Sequence, residues 1–100
     1  MSDLRVGIIG VGIMGAGHAR YLTEHVNGAV VTGLFDLDAP RMDLLAKELS
    51  AKSGAAINQH SSVEALVSDS NVDAVIICSP DGLHPEHLTL SINAGKHTLC

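Results

Sequence analysis

The chain has 100 residues and a net charge of −5, with six Lys and Arg residues against eleven Asp and Glu residues and no basic cluster. That length allows one domain at most, and that charge argues against a nucleic-acid partner. No apolar run exceeds the length of a strand and no basic region of a secretory signal opens the chain, so we expect a cytoplasmic protein without a membrane span.

The first apolar segment leads into a glycine-rich turn. Leu4–Ile9 is almost entirely apolar and rich in branched residues, which predicts a strand buried on both faces. It is followed by Gly10-x-Gly12-x-x-Gly15 and by a stripe of small and apolar residues that predicts a helix over residues 13–26. We expect Gly10 to turn the chain, Gly12 to let a pyrophosphate approach the backbone, and Gly15 to let the helix pack closely on the strand.

The start of that helix is expected to bind a phosphate. Its first residues, Ile13 and Met14, belong to a turn whose N–H groups have no partner inside the helix, and the helix dipole places positive charge there. Both residues therefore join the three glycines as candidate cofactor-binding residues. Glycine-rich turns are common, so this motif needs support from the rest of the chain.

The remaining elements alternate between strands and helices. Periodicity and turn residues predict strands over residues 29–35, 55–58, 73–78 and 97–100, and helices over residues 39–53, 61–68 and 85–94. Asp38 is expected to cap the second helix, and Ser61 with Glu64 has the form of a capping box at the third. The alternation predicts an α/β fold, a doubly wound parallel sheet of the Rossmann type with strand order 3-2-1-4-5.

The chain is short for such a fold. A complete dinucleotide domain of this type has a sixth strand and is usually longer. We therefore expect residues 1–100 to form an incomplete dinucleotide-binding domain of a longer protein. Hydrophobic residues make up 46% of the chain and aromatic residues only 2%, so its core must be aliphatic, as is usual for a parallel sheet between helices.

Asp36 supports the interpretation of the glycine turn as part of a dinucleotide site. It lies about twenty residues beyond Gly15, at the carboxyl end of the second predicted strand, where the adenosine ribose of a dinucleotide would rest. Its carboxylate can accept hydrogen bonds from both ribose hydroxyls and repels a 2′-phosphate, and the neighbouring Leu37 offers no cation, so the sequence favours NAD over NADP. The alternatives are that Asp36 only ends a strand, and that Arg41, which can lie across the adenine, is only a solvated helix residue.

A second set of candidate residues follows the fourth predicted strand: Cys78, Ser79, Pro80 and His84. In open α/β sheets, ligands bind beyond the carboxyl ends of the strands at the switch point, which here lies between the first and fourth strands. The Ser79 hydroxyl and nearby backbone groups can bond a ribose, and Pro80 restricts the local path. His84 either contacts the ligand or caps the helix that Pro85 begins. We expect this loop to face the ribose–nicotinamide half of the cofactor.

The sequence contains no evident metal site or catalytic group. His84 and His87 can share a helix face, but no Cys, Asp or Glu at a compatible spacing completes a set of ligands. Cys78 and Cys100 are too few for a disulfide framework, which suits a reducing compartment. A P-loop lysine, a nucleophile elbow and a Ser-His-Asp order are all missing. The sequence therefore predicts a binding site without a catalytic residue.

At these residues the sequence resembles the Gfo/Idh/MocA oxidoreductases, the family of glucose–fructose oxidoreductase and inositol dehydrogenase. The resemblance spans the whole chain and rests on residues 6–15, 35–41, 73–80 with His84, and 94–100. Residues 21–31 are most similar to the inositol 2-dehydrogenase branch. The resemblance implies that a sugar, polyol or cyclitol hydroxyl is oxidised by hydride transfer to a nicotinamide cofactor.

The same resemblance implies that the chemistry is completed outside these 100 residues. In the family, the Leu-Cys that ends this sequence is followed by Glu-Lys-Pro, whose lysine assists catalysis. A second domain supplies further catalytic residues and the subunit interface, so we expect a homo-oligomeric parent enzyme and an inactive isolated piece. The alternatives are a nucleotide-sensing Rossmann module without chemistry, which would use the same glycines and Asp36, and a methyltransferase, whose glycine turn seldom keeps this spacing.

Overall fold

The computed structural model describes residues 3–79 and 81–99, which form a parallel sheet with strand order β3-β2-β1-β4-β5. The strands of this described part are β1 (Leu4–Ile9), β2 (Ala29–Phe35), β3 (Asn58–Gln59), β4 (Ala74–Ile77) and β5 (His97–Leu99). The expected doubly wound sheet and its strand order are confirmed. Cys100, which was expected to continue the last strand, lies outside the described residues.

Helices cover both faces of the sheet. They are α1 (Ile13–His25), α2 (Ala39–Ser53), α3 (Val63–Val67) and α4 (His84–Asn93), with a short 3-10 turn at Asp81–Leu83 before α4. On one face, α1 and α2 pack on Val6, Ile8 and Leu34; on the other, α3 and α4 pack on Ile9, Val75 and Ile77. Within the described residues, no helix combines the length and apolarity that a membrane crossing requires.

Strand β1 is central and buried on both faces. Ile8 and Ile9 point to opposite faces and both are 0% exposed, which explains why the sequence of this strand is apolar without alternation. Its register pairs Ile9 with Phe35 on one side and with Ile77 on the other. Because these three strands end level with one another, the residues that follow them meet at one edge of the sheet.

The predicted first and fourth helices and fourth strand differ from α1, α4 and β4 by one residue at one or both ends, and two further boundaries are wrong for a reason that the structure shows. Strand β3 is Asn58–Gln59 and not residues 55–58, because the Ser50 hydroxyl donates to the carbonyl of Ala55 at 2.6 Å and keeps that residue at the end of α2. The third helix is capped by Ser62 and not by Ser61, since the Ser62 Oγ accepts from the N–H of Ala65 at 3.0 Å.

Candidate functional site

The site lies at the carboxyl edge of the sheet, where the segments after β1, β2 and β4 converge. A cleft at this edge is lined by Gly10, Asp36, Arg41, Ser79 and His87, among others. Gly10 donates its N–H to the carbonyl of Phe35 at 2.8 Å, which links the turn after β1 to the end of β2. The structure therefore brings together residues from three of the segments that the sequence singled out.

Gly10 and Gly15 are required by the packing of the turn. Gly10 has a φ of +90°, and a Cβ atom there would lie 2.8 Å from the backbone carbon of Cys78 and the nitrogen of Ser79. A Cβ atom on Gly15 would lie 1.8 Å from the carbonyl oxygen of Gly10. Helix α1 therefore rests directly on the turn that follows β1, whereas the expectation for Gly15 was close packing on the strand itself.

Gly12 differs from these two glycines, because no atom of the described residues, apart from Gly12 and its two chain neighbours, lies within 4 Å of the position that its Cβ would take. It is the N-cap residue of α1, and no side chain in the described part of the chain caps this helix end. The next two side chains point into solvent, with Ile13 95% and Met14 71% exposed. The N-terminus of α1 thus faces open space, with its first N–H groups and the positive end of its dipole toward it.

Asp36 is held at the centre of the edge. Its Oδ2 accepts from the N–H of Val11 in the glycine turn at 2.7 Å, and its Oδ1 accepts from the N–H of Asp38 at 2.7 Å. The side chain is only 8% exposed. Partial burial raises the pKa of Asp36, but the N–H groups of Asp38 and Val11 and the Arg41 guanidinium together outweigh it and lower that pKa below its usual value. The carboxylate is therefore anionic at neutral pH.

Arg41 forms an ion pair with the Asp36 carboxylate. Its Nη2 lies 3.0 Å from Oδ1 and 3.2 Å from Oδ2 of Asp36. Leu37 is apolar, and the neighbouring positive charge comes instead from the first turn of α2, five residues after Asp36. The Arg41 side chain is 52% exposed, so this ion pair is partly solvated and weak compared with a buried one.

The loop after β4 forms the opposite wall of the cleft. Cys78 donates its N–H to the carbonyl of Ile9 at 2.7 Å, and Ser79 is 8% exposed. Nε2 of His84 is hydrogen-bonded to the carbonyl of Ser79. His84 is the first residue of α4 and Leu83 is its N-cap, so the alternative that His84 caps this helix is wrong. Pro80 lies outside the described residues.

His87 is a cleft residue that the sequence did not identify as one. Its Nδ1 lies 2.8 Å from the Ser79 Oγ, and the residue is 7% exposed. The available signal was the spacing of His84, His87 and Ser91, which places the three polar residues along one side of a helix. Across residues 3–79 and 81–99, no three His, Cys, Asp or Glu side chains are grouped closely enough to hold a metal ion.

A parallel α/β sheet with a glycine turn, an uncapped helix N-terminus and an acidic residue after the second strand is the architecture of a dinucleotide-binding Rossmann domain. The chain belongs to the Gfo/Idh/MocA family: the model of this family, described as an oxidoreductase family with an NAD-binding Rossmann fold, matches residues 4–100.

Similar proteins agree with this assignment. Inositol 2-dehydrogenase 1 from Saccharopolyspora erythraea is 39% identical over 97 residues, which cover 97% of this chain and 28% of the relative. The crystal structure of myo-inositol dehydrogenase from Lactobacillus casei in complex with NAD(H) and myo-inositol superposes with a TM-score of 0.88 at 26% identity, over 98% of this chain and 27% of that chain.

A relative that acts on a different kind of substrate is also similar. UDP-N-acetylglucosamine 3-dehydrogenase from Acidithiobacillus ferrooxidans superposes with a TM-score of 0.79 at 33% identity, over 98% of this chain and 28% of that chain. The chain therefore spans little more than a quarter of the length of the relatives that it matches.

Proposed function

We propose that this chain is the N-terminal cofactor-binding part of a longer oxidoreductase, which oxidises a hydroxyl of inositol or a related cyclitol or sugar with NAD. The observation that carries the proposal is the arrangement at the sheet edge, where an uncapped helix N-terminus faces open space at Gly12 and a buried carboxylate lies beside it. A bound NAD would supply the acceptor for the hydride. The residues of this chain bind and orient it.

The N-terminus of α1 fits a pyrophosphate. The N–H groups at Ile13 and Met14 can donate to phosphate oxygens, and the helix dipole favours the negative charge. Because Gly12 has no Cβ, a phosphate has room to approach the backbone. Packing gives no other reason for a glycine at this position, since no residue beyond its chain neighbours lies against it in the described structure. Gly10 and Gly15 shape the turn that presents these groups.

Asp36 fits the adenosine ribose of NAD. Its contacts with the N–H groups of Val11 and Asp38 hold the carboxylate in place. The ion pair with the half-exposed Arg41 is weak, so little free energy is lost when two ribose hydroxyls replace Arg41 on the carboxylate. A 2′-phosphate would have to lie against the anionic Asp36, with Arg41 giving only partial compensation. This favours NAD over NADP.

Substrate and catalysis are assigned to the parts of the protein beyond these residues. The inositol dehydrogenases among the relatives support a cyclitol as substrate, while the UDP-N-acetylglucosamine dehydrogenase makes a nucleotide sugar the second candidate. A homo-oligomer formed through a second domain is part of the proposal. So is a cytoplasmic location, which suits a chain with two cysteines.

The proposal is tested by titrating the full-length protein with NADH and NADPH. We expect wild type to bind NADH more tightly, and Asp36→Ala to raise the NADH Kd at least about tenfold, because hydrogen bonds to a charged group are lost. Asp43→Asn removes the same charge from α2 outside the cleft and serves as the control. An Asp36→Ala protein that binds NADH as tightly as wild type would contradict the ribose role.

Turnover with NAD is then compared for myo-inositol, scyllo-inositol and UDP-N-acetylglucosamine. Formation of NADH with either inositol supports the cyclitol substrate. If only UDP-N-acetylglucosamine is turned over, the substrate is a nucleotide sugar and the cyclitol proposal is wrong. Tight NADH binding without turnover of any of the three contradicts the proposed activity and favours a nucleotide sensor.

A further inference from the structure

Helix α4 holds the loop after β4 through a buried hydrogen bond between two side chains. The Ser79 Oγ and the His87 Nδ1 lie 2.8 Å apart, and these residues are 8% and 7% exposed. Both line the cleft that also contains Asp36 and Arg41. At this depth little water competes for either atom, so the contact holds the Ser79 hydroxyl in one orientation.

The two partners are themselves fixed by further contacts. Ser91, which is 0% exposed, donates its hydroxyl to the carbonyl of His87 at 2.9 Å, one turn along α4. His84 is hydrogen-bonded to the carbonyl of Ser79, so α4 holds both the hydroxyl and the carbonyl of that residue. On its other side, the Ser79 nitrogen lies only 2.8 Å from the position that a Cβ on Gly10 would take. Ser79 is therefore clamped between α4 and the glycine turn.

We propose that His87 is a positioning residue for the dinucleotide, acting through Ser79. Nδ1 accepts the Ser79 hydroxyl proton, with the ring hydrogen on Nε2, and this leaves the Ser79 oxygen as an acceptor toward the cleft. A ribose hydroxyl of a bound dinucleotide is a donor of the matching kind. This inference rests on the proposed function, since it requires a dinucleotide in the cleft.

A purely structural role for His87 makes a different prediction. A histidine that only fills the space between α4 and β4 would affect folding stability, and its effect on binding would not depend on the Ser79 hydroxyl. A positioning residue loses its effect on binding when that hydroxyl is removed. A double-mutant cycle between the two residues separates these cases.

The experiment uses the full-length protein with His87→Leu, His87→Asn, Ser79→Ala and the double variant Ser79→Ala/His87→Leu. The readouts are the NADH Kd and the Tm. We expect His87→Leu to raise the Kd about three- to tenfold, the range for loss of one hydrogen bond, and to change it less than about twofold when Ser79 is already Ala. Asn carries a polar atom near the position of Nδ1, so His87→Asn should restore most of the affinity.

Thr89→Ala is the control, because it removes a similar side-chain-to-carbonyl hydrogen bond of α4, from the Thr89 hydroxyl to Pro85 at 2.8 Å, that touches neither His87 nor Ser79. It should leave the NADH Kd within about twofold of wild type. Equal effects of His87→Leu with and without the Ser79 hydroxyl, or an unchanged Kd in His87→Leu, would overturn the inference. The proposed function is tested separately: if neither Gly12→Ala nor Asp36→Ala weakens NADH binding, the proposed function itself is wrong.

Discussion

Replacement of Gly12 by Ala separates the binding role of the glycine turn from its folding role. Gly12 adopts φ −67° and ψ −161°, an extended conformation that alanine also adopts. Apart from the two chain neighbours, no described residue has an atom within 4 Å of the added Cβ, so the substitution introduces no clash. As an N-cap residue alanine is somewhat poorer than glycine, which costs about 0.5–1 kcal/mol of folding stability.

The expected effect on binding is much larger. The methyl group would occupy the space through which a pyrophosphate approaches the first N–H groups of α1. A hydrogen bond to a charged group contributes about 1.5–3 kcal/mol, and each 1.4 kcal/mol corresponds to about a tenfold change in Kd. Loss of one such bond therefore raises the NADH Kd of Gly12→Ala about 10- to 100-fold, although the protein remains folded.

Gly17→Ala is the matched control for this measurement. Gly17 is an exposed residue of α1, and outside its chain neighbours and the backbone of its own helix no atom of the described chain lies within 4 Å of its Cβ position. Alanine there should stabilise the helix by about 0.5–1 kcal/mol and leave the NADH Kd unchanged. Calorimetric titration of both variants, with their Tm values, distinguishes the two roles. A folded Gly12→Ala protein with the NADH affinity of wild type would refute the assignment of the phosphate site.

Three further substitutions test the packing of the fold. Gly15→Ala should fail to give a folded domain by circular dichroism, because its Cβ would lie 1.8 Å from the Gly10 carbonyl oxygen; a native spectrum would contradict the close packing of α1 on the turn. Leu66→Ala should lower the free energy of unfolding in urea by about 2–5 kcal/mol, since this side chain is 0% exposed, and a loss below that range would show that the site collapses around the cavity. A side-chain hydrogen bond from Arg5 is the main cause that lowers the pKa of Asp73 from 3.8 to about 2. The stabilisation that the ionised Asp73 contributes is therefore complete above about pH 4 and is lost as the pH falls through about 2. In Asp73→Asn, the urea midpoint should depend less on pH over that interval.

Local patterns in the sequence predict most of the fold. The second strand begins and ends at Ala29 and Phe35 as expected, because an apolar run between Gly28 and Asp36 has clear limits. The two-residue strand Asn58–Gln59 has no such pattern, since both residues are exposed and polar. Its position is set by pairing with Gly33 and Leu34, a long-range contact that local sequence does not encode.

The candidate site follows the same division. The glycine turn and Asp36 could be identified because Gly10 and Asp36 directly follow β1 and β2, and parallel strands end at one edge. The hydrogen bond from Val11 to Asp36 joins residues 25 positions apart and depends on the register of β1 and β2. Likewise, the bond between Ser79 and His87 depends on how α4 packs beneath the loop, which the spacing of polar residues suggests only in outline.

The most direct test is a crystal structure of the full-length protein with NADH bound. We expect a pyrophosphate oxygen at about 2.7–3.2 Å from an N–H of the first turn of α1, beside Gly12, and the adenosine ribose hydroxyls on the Asp36 carboxylate. A dinucleotide bound away from this edge of the sheet, or bound there without contact to α1 or Asp36, would contradict the site described above.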